Sequence, residues 1–141
     1  MKAVSLLALL FLMTVFATAA DKKNVDADIS HSPYEALTST TTFAIGGVGV
    51  AGIISPMEKD FRALLKEPDA VAQCQKLLTD ATPEGQMYGL LGLKLKDETA
   101  FVAALSKYKE SKQQVRQQSG CIMHNSSMGE LAASIEKGSY K

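Results

Sequence analysis

Three prolines cut the middle of this chain into short pieces, and each stands where a helix tolerates it best. Ser55-Pro56-Met57-Glu58 places a hydroxyl at a cap position, a proline at the first helical residue and an acid three positions after the cap. The hydroxyl can accept from the third amide, the proline gives up an N–H that has no helical partner, and the acid completes a capping box. Thr82-Pro83-Glu84 repeats cap, proline and acid, and Glu67-Pro68-Asp69 sets a third start between them. The spacing predicts helices over 56–66, 68–80, 83–96 and, capped by Asp97, 98–111. Their apolar stripes are Met57, Phe61, Leu64 and Leu65; Val71, Cys74, Leu77 and Leu78; Met87, Leu90, Leu91 and Leu95; and Phe101, Val102, Leu105 and Tyr108. Short amphipathic helices with turns of a few residues pack as antiparallel neighbours, in the manner of a helical-repeat stack. Ser127-Met128-Gly129-Glu130 is a further capping box, opening a last helix over 128–137 that Gly138 stops.

Extended chain is expected in two places. TTTFAIGGVGVAGII, 40–54, is rich in Thr, Phe, Ile and Val and punctuated by glycine, which predicts strands at 41–46 and 48–54 about a turn at Gly46-Gly47. Residues 114–123 read as one strand. The fold class expected is therefore mainly α (α+β), with a small sheet of two or three strands.

Met1-Lys2, an apolar run from Ala3 to Ala17 and then Ala17-Thr18-Ala19 have the form of a secretory signal peptide, with cleavage near Ala19 or Ala20. The run is shorter than the ~20 residues that span a bilayer. Residues 20–40 are polar without a period and are read as a flexible N-terminal arm, and 41–141 as one compact helical domain. The mature chain, about 120 residues, can build one core. It carries 14 basic against 15 acidic side chains once Lys2 is removed, so it offers no field of one sign to nucleic acid. The predicted location is secreted or periplasmic, and there an even pair of cysteines, Cys74 and Cys121, predicts a disulfide.

Gly47-Val48-Gly49-Val50-Ala51-Gly52 has the G-x-G-x-x-G spacing of dinucleotide turns, but the next helix starts only at Ser55-Pro56, so helix amides would not face a pyrophosphate. Glycine used for close packing, against the helix over 83–96 with its own Gly85, Gly89 and Gly92, is the preferred reading. The candidate contact surface is Phe43, Gly46, Gly47, Gly49, Gly52 and Tyr88. Other chemistry is thin. His124 lies near Cys121, Ser126 and Ser127, which allows a hydrolase as an alternative, while a paired Cys121 would rule out a thiolate nucleophile. No metal-ligand set is visible and no cofactor is expected. Lys107, Lys109, Lys112 and Arg116 read as a solvated basic face, and Asn125-Ser126-Ser127 matches the glycosylation triplet. Residues 43–54 carry no charge and are too short to span a bilayer, leaving shallow membrane association as a further alternative.

FAIGGVGVAG, SPMEKDFRALL, ATPEGQMYGLLGLKLKD and VRQQSGCIM, in this order over about 41–123, resemble a family of small exported bacterial proteins. That family carries a FAxGGxGxAG segment, a helix of the form G-Q-x-Y-x-L-x-G-L and a downstream S-G-C. The resemblance implies no activity. It implies that Gly46, Gly47, Gly49, Gly52, Gln86, Tyr88 and Cys121 are family-type positions. The function expected is a non-enzymatic binding or structural module whose partner is a protein or envelope component.

Overall fold

In the computed structural model, residues 31–140 are described; the leader expected at 1–19 and the first part of the arm lie outside them. From the amino side the elements are α1 (Pro33–Thr38), β1 (Gly47–Val48), β2 (Ile53–Ile54), α2 (Pro56–Leu64), α3 (Ala70–Asp80), α4 (Pro83–Lys96), α5 (Glu98–Leu105), β3 (Gln114–Ser119), β4 (Ile122–Ser127) and α6 (Met128–Glu136). The class is α+β, mainly helical, with two small antiparallel sheets.

Most of the helix starts form where the caps are written. Thr82 Oγ1 accepts from Gly85 N–H at 3.2 Å, Asp97 Oδ1 from Ala100 N–H at 3.0 Å, and Ser127 with Glu130 closes a complete capping box. Two starts differ from the pattern. Ser55 Oγ accepts from Glu58 N–H at 3.0 Å, but the Glu58 carboxylate turns away to other partners, so the box is half made. α3 begins at Ala70, not at Pro68, and Asp69 takes Gln73 Nε2 at 2.9 Å in place of a backbone amide. α5 stops at Leu105, short of 111; the chain then runs through turns that still bury Tyr108. α1 lies inside the segment expected as an arm. Ser32-Pro33-Tyr34-Glu35 forms a full capping box there, and Leu37 is fully buried.

α4 is the axis of the core. Met87, Tyr88, Leu90, Leu91 and Leu93 are all buried, and the helix contacts α1, α3, α5 and α6. A helix covered on nearly every side cannot show a single apolar stripe, which is why Leu95, expected inward, is exposed while Tyr88 and Leu93 are not. Its glycines are close-packed, but against α1 and α3 and not the 43–54 segment: a Cβ on Gly85 would meet the Leu37 carbonyl oxygen of α1, one on Gly89 would stand 2.7 Å from the Cys74 carbonyl oxygen, and one on Gly92 would meet the Cys74 sulfur.

The expected disulfide is absent. Cys74 is a buried free thiol of α3 lying against Gly92, and Cys121 is an exposed free thiol in the turn between β3 and β4. An even cysteine count says nothing about position, and here one sulfur fills a helix–helix contact while the other sits at a hairpin tip. The strand expected over 114–123 is likewise a hairpin. It folds at Gly120-Cys121 with Gln117 opposite His124, and Gly120 takes the positive φ of 56° that a tight turn requires.

Candidate functional site

Between α1 and α2 the chain crosses the core and then leaves it. Phe43 and Ala44 are buried, with the Phe43 ring 4.7 Å from that of Tyr88 and edge-on to Tyr140 at 5.4 Å. The Tyr88 hydroxyl accepts from Ala44 N–H at 2.8 Å and lies 3.2 Å from the Ala44 carbonyl, which also receives the Ser55 hydroxyl at 3.1 Å. One residue beyond Ile45, Gly46 turns at φ 92° and donates its N–H to Glu58 Oε2 at 2.9 Å. The other Glu58 oxygen holds Arg62 through two contacts of 2.6 and 2.9 Å. Glu58 is almost wholly buried, so its charge requires these partners. Burial also raises the Tyr88 phenol well above its ordinary value. These groups form a fixed root for everything from Gly47 to Ile54.

Beyond the root the segment, apart from the buried Val48, stands out into solvent. β1 and β2 pair as Gly47↔Ile54 and Val48↔Ile53, and the turn is Gly49 to Gly52, not the expected Gly46-Gly47. Gly49 and Gly52 both hold positive φ, and Gly52 N–H closes on Gly49 O at 3.2 Å. Gly47 has no room for a side chain, since a Cβ there would sit 2.9 Å from Gly52 O. The G-x-G-x-x-G spacing is thus the hairpin turn itself. Of the predicted contact surface, Phe43 and Tyr88 belong to the core, while Gly46, Gly47, Gly49 and Gly52 are exposed.

The second hairpin lies beside the first. Gly49 N–H donates to Gly120 O at 2.9 Å, Gly120 N–H to Gly47 O at 3.2 Å, and Phe43 N–H to Arg116 O at 2.8 Å. Segment 43–49 therefore runs parallel to β3, and the two tips emerge together. Between them they present Val50 (99% exposed), Ile122 (68%), Ile53 (62%), Ile54 and Met123, five of the seven large exposed apolar side chains among the described residues. Sequence reasoning found the glycines, reached Val50, Ile53 and Ile54 only through the membrane alternative for 43–54, and missed Ile122 and Met123. Their signal was the absence of charge from Ala44 to Met57 and from Gln117 to Gly129.

Comparison of the chain with models of protein families, with curated proteins and with solved structures finds no match.

The remaining candidates disperse. His124 is exposed on β4 with no carboxylate bonded to it among the described residues, and the Ser127 hydroxyl is committed to the α6 cap. Asn125 is exposed on the same strand. The basic stretch is divided: Lys107 Nζ donates to Leu78 O at 3.2 Å, and Lys109 pairs with Glu136 at 3.2 Å. Among the described residues no group of three or more His, Cys, Asp or Glu could hold a metal ion, and no helix is long and apolar enough to cross a membrane. A cavity of about 150 Å³ opens beside the root, lined chiefly by Ile45, Phe61, Leu65, Leu91 and Leu95 with Glu58 and Arg62 at its wall. It could admit a small apolar group.

Proposed function

We propose that this chain is an exported, non-enzymatic binding module that docks on an apolar surface of a partner protein or envelope component through its paired hairpin tips. One observation carries the reading: Val50, Ile53, Ile54, Ile122 and Met123 are exposed together on two neighbouring loops without formal charge. Single exposed apolar residues are ordinary, but five of them on two hairpins whose tips are hydrogen-bonded through Gly49 and Gly120 favour a contact site. The buried network of Tyr88, Ser55 and Glu58 supports it further, because an anchored loop loses less conformational entropy on binding than a slack one. Export is supported by the leader-like residues 1–19 and by the resemblance of the glycine-rich and S-G-C segments to exported proteins. A hydrolase centred on His124 with Ser126 or Ser127 draws no support, since among the described residues no carboxylate is bonded to His124 to orient it as such a base needs.

The test is a photo-crosslinking amino acid placed in turn at Val50, Ile53 and Glu110, an exposed site away from the tips. Positions 50 and 53 are expected to capture the same envelope component and position 110 none; equal capture at all three would refute the reading. Shallow insertion into lipid is the second reading, favoured by the same uncharged tips. The chain has no tryptophan, so Val50→Trp supplies a single reporter. A blue shift of its emission on phosphatidylcholine vesicles would favour lipid over a protein partner.

A further inference from the structure

Among the described residues the outer edge of β4 is unpaired, and we infer that it is the interface between two copies of this chain, joined antiparallel about a two-fold axis through His124. The direction of each backbone group follows from β3. Arg116 O and Gln118 N–H are bonded to Phe43, so residues 116 and 118 face away from β4. Their cross-strand partners, Asn125 and Met123, are then the non-hydrogen-bonded pairs, and these two residues turn their N–H and C=O groups outward. Among the described residues neither makes an outward backbone bond. Ile122, Met123, His124 and Asn125 are all exposed, so β4 is uncovered on both faces as well as at its edge.

Edges of this kind are normally guarded by lysine, proline or a bulge, and β4 has none of the three. An identical strand suits it in charge. No Lys, Arg, Asp or Glu occurs from Gln117 to Gly129, so two copies meet without like charges. The register is also determined. Ser127 N–H is bound to Glu130 Oε2 at 2.9 Å and cannot donate outward, which leaves Met123 and Asn125 as donors. They satisfy each other when Met123 of one copy faces Asn125 of the other, and the reverse. That register sets His124 opposite His124 on the axis and joins both sheets into one. The interface uses the backbone edge of β4 and shares Met123 with the tips, while Asn125 and His124 lie outside them.

The experiment uses the mature chain. Sedimentation is expected to find a dimer that Asn125→Pro abolishes, because proline removes an outward N–H and leaves the β3 ladder intact. Met123→Lys, which places charge on the edge, is expected to do the same, both with unchanged helical circular dichroism. In a Cys121→Ser background, His124→Cys is expected to form a covalent dimer on mild oxidation, since non-hydrogen-bonded partners lie about 4.5 Å apart at Cα, within disulfide reach. A monomer at every concentration, a dimer that survives both edge variants, absence of the covalent dimer, or a monomer that takes up an extended peptide would each overturn the inference.

Discussion

Gly89 shows how far position can override propensity. In an exposed helix Gly→Ala stabilises by about 1 kcal/mol. Here the added Cβ would stand 2.7 Å from Cys74 O and 2.9 Å from Leu77 Cβ, and helix backbone cannot give way as a side-chain end would. Overpacking costs about 1–3 kcal/mol, so Gly89→Ala is expected to lower stability by about 1–2 kcal/mol in urea unfolding despite the better helix former. Cysteine makes the same point in chemistry. Burial pushes the Cys74 thiol up to about 12, whereas Cys121 stands in solvent. Thiol titration of the native protein is expected to count one reactive group, mapped to Cys121, and two after unfolding. A reductant is expected to leave the thermal midpoint unchanged.

Elements were legible where their signal is local. Ser55, Thr82, Asp97 and Ser127 each need only a neighbour three residues away, and each caps its helix. The same logic was available at Ser32-Pro33-Tyr34-Glu35, but six helical residues with one buried leucine leave no period to read. What could not be read was anything decided across the fold. Thr, Phe, Ile and Val content marks 40–54 as extended, yet whether the glycines lie against α4 or stand in solvent depends on Tyr88, Glu58 and β3, which are distant in sequence. Hence the segment was identified as special and its exposed tip was not. The root can be tested directly. Tyr88→Phe keeps the ring but leaves the buried Ala44 N–H without its acceptor, which costs about 1–3 kcal/mol. Faster hydrogen exchange is expected at Ala44 and Gly46 before any change in α5 or α6. Equal acceleration throughout would mean the root is not a local unit.

At the scale of the molecule, the groups held protonated lie in one connected core, which gives the domain a defined response to alkali. The Cys74 thiol is raised to about 12 from an ordinary 9, and the Tyr108 phenol to about 12 from 10, each mainly by burial; Tyr88 is raised in the same direction. A folded-state value above the unfolded one means the native state holds its proton longer. The stability from these groups is therefore complete below about pH 9 and falls as pH rises toward 12, where the unfolded chain ionises first. The urea midpoint is expected to be flat from pH 7 to 9 and to decline steadily above it. Tyr108→Phe should shallow that decline, since it removes one titrating group while keeping the ring. Cys74 joins α3 to α4, Tyr88 joins α4 to the hairpin root, and Tyr108 lies 3.3 Å from Leu78 O of α3 and 3.2 Å from Gln86 Oε1 of α4. Ionising any of them opens a contact within the same core. Far-ultraviolet dichroism and tyrosine absorbance should accordingly report one coincident alkaline transition. Two separated transitions would instead divide the hairpin root from the helical stack, and the tips would then rest on a unit able to open by itself.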